Sequence, residues 1–169
     1  MTTVSTYNND KYLNGFIENG VVVSNIAFAA ISNLVDQICT IPGGELITLN
    51  HTLIPATSND IRIIGNGIQI VKAGYYKIDS SFTITSMVTP PRFGILIVLN
   101  GATNISSQSV NINVVQQVPL TYGITNIVYC NIGDYFQLAC GSTAPGSMTI
   151  SGASTSPAIL AVTKLLDQV

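Results

Sequence analysis

The stretch YYKIDSSFTIT, residues 75–85, decides the fold class because its apolar side chains alternate with polar ones. Successive side chains of a β-strand point to opposite faces, so a period of two is typical of a strand with one face in a core. One face would carry Tyr76, Ile78, Phe82 and Ile84, and the other Tyr75, Lys77, Asp79, Ser81 and Thr83. The pattern predicts a strand half buried in a β-sandwich.

Short apolar segments separated by turn signals continue on both sides of this strand. Breakers stand at Gly65-Asn66-Gly67, at Asn100-Gly101 and at Pro145-Gly146. Roughly nine or ten strands with a turn every 8–12 residues or so are typical of a sandwich or jelly roll. No strand-helix-strand unit is visible. We expect a flexible N-terminal arm over residues 1–20 and one all-β domain over residues 21–169.

The composition is apolar but almost uncharged. Of 169 residues, 47% are hydrophobic and only 8% are charged, and the net charge is −2. Low charge and many β-formers argue against disorder, and the absence of a basic surplus argues against a nucleic-acid partner. No apolar run is long enough for a membrane span, and no secretory signal is visible at the N-terminus. The remaining class is a neutral β-rich globule whose surface does not repel its own copies.

Two segments, residues 93–99 and 158–166, are apolar on both strand faces. A strand in a small sandwich has one core face and one outer face, and an apolar outer face needs a cover. The cover is either a second sheet layer or another subunit.

Catalytic chemistry has little support in the sequence. His51 is the one histidine, and its neighbours Asn50 and Thr52 favour an ordinary strand position. The eight carboxylates are scattered without the spacing of an acid–base pair or a calcium loop. We predict no enzyme, no catalytic residue, no cofactor and no metal site. Tyr75 and Tyr76 are either a platform for a sugar or, as we favour, packing residues at the core and a subunit interface.

The three cysteines show no metal-ligand spacing. Cys130 and Cys140 flank one hairpin in a register that keeps them apart, so both are expected to be small buried hydrophobes. Cys39 lies in the irregular segment before Pro42-Gly43-Gly44. A free thiol there could crosslink copies of the protein, but we favour a buried or idle thiol.

Four segments resemble, in order, motifs of the tumour-necrosis-factor-like jelly-roll superfamily. They are residues 26–30 (IAFAA), 68–76 (IQIVKAGYY), 128–138 (VYCNIGDYFQL) and 160–165 (LAVTKL). Within the superfamily, the chain is most similar to the exosporium proteins of bacterial spores, the families of the BclA C-terminal head and of the basal-layer protein BxpB/ExsF. The glycoprotein's Gly-x-y collagen repeat is absent, which favours a basal or anchoring component.

The resemblance implies a ten-stranded antiparallel jelly roll that forms a homotrimer on the spore surface, in the exosporium or outer coat, and assembles without a secretory signal. Its partners would be its own copies and, through residues 1–20, other spore-surface proteins. The expected trimer-interface residues are Tyr75, Leu96, Val98, Leu160 and Val162. The alternative function is a trimeric receptor- or glycan-binding tip, as in an adhesin or a phage fibre.

Overall fold

A computed structural model describes residues 15–18, 21–24, 26–88, 92–101, 103–111, 119–153 and 157–167. These residues form thirteen strands and no helix. The strands are β1 (Gly15–Glu18), β2 (Val21–Ser24), β3 (Phe28–Ser32), β4 (Gln37–Leu46), β5 (His51–Ile54), β6 (Ile61–Ile64), β7 (Gly67–Ile70), β8 (Gly74–Val88), β9 (Arg92–Leu99), β10 (Thr103–Asn111), β11 (Leu120–Cys130), β12 (Tyr135–Ile150) and β13 (Ile159–Asp167).

The strands β1 and β2 pair only with each other, in an antiparallel hairpin. This hairpin includes the last part of the predicted arm, and residues 1–14 lie outside the described residues. The all-β prediction is confirmed, and the fold has more strands than the sequence pattern indicates.

The first sheet is built around β8, the strand predicted from residues 75–85. Its strands follow the order β5-β3-β13-β8-β11, and all neighbours are antiparallel. Ile78 lies opposite Val162 on β13 and opposite Asn126 on β11. Non-sequential strands therefore lie side by side, which is the crossed connectivity of a jelly roll rather than of a simple meander.

The second sheet is built around β12. Antiparallel pairs join β10 to β9, β9 to β12, β12 to β7 and β7 to β6, and β4 also runs along β12. Near its end β12 leaves this sheet, and residues 147–150 pair with residues 84–88 of β8. One strand thus passes from one sheet to the other at a corner of the sandwich.

The core lies between the two sheets. Inward residues of both sheets belong to one buried cluster, with Tyr76, Ile78 and Phe82 from the first and Ile97 and Phe136 from the second. The predicted inward face of β8 is confirmed, since its four predicted core residues are at most 2% exposed. A fully buried large apolar side chain stabilises the fold by about 1.5–3 kcal/mol.

The predicted turn at residues 65–67 joins β6 to β7 and depends on glycine at two positions. Gly65 has a φ of +55°, a left-handed backbone conformation that residues other than glycine rarely adopt. At Gly67 a Cβ would lie 2.4 Å from the ring of Tyr135, so only a hydrogen fits there. The Tyr135 hydroxyl donates a hydrogen bond to the Ile64 carbonyl at 2.8 Å, which fixes the turn against β12.

A buried ion pair ties the last strand to the turn before β6. The Lys164 ammonium lies 2.5 Å from the Asp60 carboxylate, and the Lys164 side chain is almost completely buried. Tyr76 closes the same corner by donating its hydroxyl to the Lys72 carbonyl at 2.6 Å. Tyr76 is therefore a core residue with a satisfied hydroxyl, as the packing interpretation predicts.

Candidate functional site

The first sheet has one face in the core and one face turned away from it. Strand register places on the second face the residues that lie between the inward ones, and we call this surface the open face. Its members are Phe28 and Ala30 on β3, Ile159, Ala161 and Thr163 on β13, Tyr75, Lys77, Asp79, Ser81 and Thr83 on β8, and Thr121, Gly123, Thr125, Ile127 and Tyr129 on β11. The open face spans four strands; Ala30 and Thr83 are buried within it, whereas Tyr75 and Ile127 are exposed.

One end of the open face is aromatic and apolar. The rings of Tyr75 and Tyr129 lie edge to face with their centroids 5.3 Å apart. Tyr75 is 47% exposed and its neighbour Ile127 is 60% exposed. Amphipathic rings that pre-order each other lose little entropy when they are covered, so this end is suited to burial against a partner.

The open face is nearly uncharged. Its Lys77 ammonium lies 2.9 Å from the Asp79 carboxylate, and Asp79 accepts a second hydrogen bond from the Thr125 hydroxyl at 2.6 Å. Both members of this ion pair keep more than a third of their side-chain surface in solvent. The pair neutralises itself within one protomer, so a second copy would meet no net charge of the same sign here.

The middle of the open face is flat because its side chains are small. Ala161 lies between Ala30 on β3 and Asp79 on β8, and Gly123 lies opposite Ser81. A Cβ added to Gly123 would lie 3.2 Å from the Ser80 carbonyl, a tight fit. Small side chains let the backbone of a neighbouring sheet approach closely, as in sheet-on-sheet packing.

The residues predicted for a trimer interface are not brought together. Tyr75 lies on the open face, but Leu160 and Val162 are fully buried inside the protomer. The assignment of Leu160 and Val162 to an interface is therefore wrong as regards their side chains. Register explains the error, because both residues share the inward face of β13 with Lys164 while Ile159 and Ala161 point outward.

Leu96 and Val98 lie on a different surface, the outer face of the second sheet. Val98 is only 6% exposed within the protomer, and Leu96 is half-buried. Their partners in register on β12 are Ala139 and Gln137, which are also buried. The outer side of β9 is therefore largely covered by the protomer itself, and Leu96 offers more surface to a partner than Val98.

The sequence analysis missed Ile127 and Tyr129. The strand β11 alternates between half-buried and exposed residues, and its half-buried Tyr122, Ile124 and Val128 pack against the core. The same alternation in the sequence could have identified Ile127 and Tyr129 as large side chains on the face opposite the core.

Cys39 is completely buried, as are Cys130 and Cys140, so the favoured alternative of a buried thiol holds and the crosslink between copies does not. No crosslink between copies can form through a thiol in this position without opening the fold. Burial raises the pKa of the Cys130 thiol to about 12, and the nearby Asp134 carboxylate adds to the increase. Such a thiol carries almost no thiolate near neutral pH and is inert.

No catalytic constellation is assembled among the described residues. His51 is half-buried in the edge strand β5, and no group of three or more His, Cys, Asp or Glu side chains in the described ranges could hold a metal. In the same ranges no helix is sufficiently long and apolar to cross the bilayer.

A polar groove lies at one end of the sandwich. It has a volume of about 300 Å³ and is lined by Asn33, Val35, Asp36, Gln37, Ile38, Thr48 and Asn50. The buried Asn33 amide spans its floor, since it donates to the Ser151 carbonyl at 3.0 Å and accepts from the Ala158 amide at 2.7 Å. The Asp36 carboxylate accepts from the Gly152 amide at 2.7 Å.

The two packed antiparallel sheets, their crossed connectivity and the open sheet face define the TNF-like jelly-roll class of fold. Solved TNF-family structures match the chain at this level. The crystal structure of murine APRIL at pH 8.5 gives a TM-score of 0.62 at 9% identity and covers 83% of this chain and 100% of its own. The structure of Eiger TNF from S. frugiperda gives a TM-score of 0.64 at 10% identity, covering 85% of this chain and 95% of its own.

No protein-family model matches the chain, and no curated protein matches it in sequence. The fold prediction is confirmed by the structural neighbours, and at about 10% identity they show the fold alone.

Proposed function

We propose that this chain is a structural protein that assembles as a homotrimer and builds or anchors the outer layer of a bacterial spore. The observation that carries the proposal is the open face, which is broad, flat, internally neutral and aromatic at one end. Such a face left in water would expose Tyr75 and Ile127 without benefit to the monomer.

Self-association covers the open face with a surface of matching chemistry. Three copies arranged around an axis would each offer this sheet face to their neighbours, and the ring pair of Tyr75 and Tyr129 would lie at the contact. A specific interface buries about 800 Å² from each partner. The apolar part of such a burial contributes roughly 25 cal/mol per Å² before the costs of association are subtracted.

The outer-layer role is supported by composition and by the sequence resemblance to exosporium proteins. A layer protein must tolerate close packing of many copies, and a chain with 8% charged residues has little self-repulsion. No Lys or Arg occurs between Arg92 and Lys164, so trypsin-like proteases find no site in that segment. The arm of residues 1–20 is the segment we propose for contact with other layer proteins.

Solution mass tests the trimer. Light scattering should give a mass near three times 17.9 kDa, and a monomer at micromolar concentration would refute the assembly. Immunogold labelling of spores tests the layer independently. Label confined to the outermost layer is expected, and label confined to the spore interior or to the mother-cell cytoplasm would refute the spore role while leaving the trimer intact.

The polar groove supports a second candidate, a trimeric tip module that binds a glycan. Amide and carboxylate groups beside exposed Val35 and Ile38 resemble the mixture of polar and apolar contacts that a sugar needs. A glycan array with the wild-type chain and an Asn50→Ala variant tests it. Binding that the variant loses would favour the tip module, and an empty array would remove it.

A further inference from the structure

The strand β4 folds back on itself at residues 41–44. The Thr40 amide donates to the Glu45 carboxylate at 2.9 Å, and the Gln37 side-chain amide donates to the Leu46 carbonyl at 2.9 Å. The Thr48 amide donates in turn to the Gln37 side-chain oxygen at 2.7 Å. These bonds hold the two ends of β4 side by side, so residues 37–40 lie against residues 45–48.

The fold-back brings two cysteines together. Cys140 on β12 is the register partner of Glu45, and Glu45 binds the backbone next to Cys39. The partner strand β12 bends at the same level, where its register with β4 shifts between Ser142 and Gly146. Cys39 and Cys140 therefore converge although about 100 residues separate them in the chain.

The two thiols lie close together in the core. A hydrogen bond between the side chains of Cys39 and Cys140 raises the pKa of Cys140, and burial raises it further. Both side chains are fully buried, and the core residues Ile47 and Met148 are buried with them. Cys130 is on β11 of the first sheet and pairs in register with Gly74.

We propose that Cys39 and Cys140 are the site of an intramolecular disulfide that staples β4 to β12. Two thiols brought together within one buried cluster are placed to bond with each other, whereas a bond between copies would require a thiol at the surface. The assignment gives the buried Cys39 an internal partner, and it is independent of the assembly proposed above.

The oxidant is a low-molecular-weight disulfide such as oxidised glutathione. The thiolate of one cysteine attacks a glutathione sulfur, forms a mixed disulfide and releases one glutathione thiolate. The second cysteine's thiolate then attacks the protein sulfur of the mixed disulfide and releases the second glutathione. Two protein thiols and one oxidised glutathione thus give one protein disulfide and two reduced glutathiones, with the two thiol protons passing to the products.

The bond forms while the chain folds. In the folded state both thiols are buried away from solvent and reagents, so both oxidation and alkylation are slow. During folding, the two thiols are oxidised when β4 folds back and brings them together. The packing of the core then shields the disulfide from reductants. A disulfide that closes a loop of roughly 100 residues constrains the unfolded chain strongly, so the oxidised protein should melt about 5–15 °C above the reduced one.

The test is to refold the wild-type chain with reduced and oxidised glutathione, or with a phosphine reductant alone. Each sample is then unfolded in denaturant with iodoacetamide, and its labelled thiols are counted by intact mass. One labelled thiol is expected after oxidative refolding and three after reductive refolding. Digestion with a protease of broad specificity should release a peptide pair linking Cys39 to Cys140, and Cys130→Ala should leave that pair unchanged.

Three labelled thiols after oxidative refolding would overturn the proposal. So would a linked pair that contains Cys130, or a reductant-sensitive dimer band on a gel. The number of labelled thiols in the wild-type chain is sufficient to test the disulfide, so the test does not depend on whether Cys39→Ala or Cys140→Ala folds. Equal melting temperatures for the oxidised and reduced chains would overturn the stapling role.

Discussion

Replacing Ile127 by Glu should dissociate the trimer without unfolding the protomer. Ile127 is 60% exposed at the apolar end of the open face, so that share of its surface remains to be covered by a neighbour. Full burial of an isoleucine contributes about 1.5–3 kcal/mol, so the uncovered part is worth about 1–2 kcal/mol per copy. With three copies, about 3–5 kcal/mol is lost per trimer, which weakens the association constant by roughly 100- to 4,000-fold.

Burial of the new carboxylates adds to this loss, since it costs free energy to take a charge out of water at an interface. The protomer should tolerate the change, because residue 127 lies opposite Lys77 and a glutamate there faces a positive charge. Light scattering over a concentration series measures the association constant, and denaturant unfolding of the dissociated protein measures protomer stability.

Ile132→Glu is the matched control, because Ile132 is 72% exposed in the turn after β11 and is not a member of the open face. We expect the control to keep the wild-type mass at every concentration. An Ile127→Glu protein that stays trimeric at low micromolar concentration would refute the assignment of the open face to the interface. Dissociation of both variants would point to a general loss of stability instead.

Phe82→Ala should lower the free energy of unfolding by about 3–5 kcal/mol, because it empties a fully buried position; denaturant titration measures this. Asp60→Asn leaves the buried Lys164 without its counter-charge and should cost about 1–3 kcal/mol, since Asp60 is partly solvated. The double change with Lys164→Met should recover most of that cost, and no recovery would contradict the account. The unfolded Cys130 thiol ionises near pH 9.0 and the folded one near 12, so the folded state holds the proton longer. Stability should therefore fall between pH 9 and 12 or so, and Cys130→Ala should flatten that slope.

The sequence predicts the fold well wherever apolar and polar residues alternate. The pattern of residues 75–85 identifies the inward face of β8 because polar and apolar side chains there point to opposite sides of one sheet. The same pattern fails for β13, where Ile159 and Ala161 on one face are as apolar as Leu160 and Val162 on the other. Composition alone cannot tell which set meets the core, since only register with β3 and β8 decides it.

The candidate site is less predictable than the fold because it depends on pairs of strands distant in sequence. Tyr75 and Tyr129 form one aromatic unit across β8 and β11, which no local pattern reveals. The convergence of Cys39 and Cys140 depends on two coordinated bends, one near Pro42 and one between Ser142 and Gly146. Turn residues indicate that the chain bends there, but not which distant strand bends with it.

The neighbouring positions of β3 and β13 have a practical consequence for engineering. Phe28 lies directly opposite Thr163. The start of β3 and the end of β13 are therefore at the same end of the sandwich. A short linker could join these two strands, and new ends could be opened at the exposed turn of Gly101, where a Cβ would meet nothing within 4 Å. Such a circular permutant would omit the β1–β2 hairpin and keep every strand pair of the two sheets.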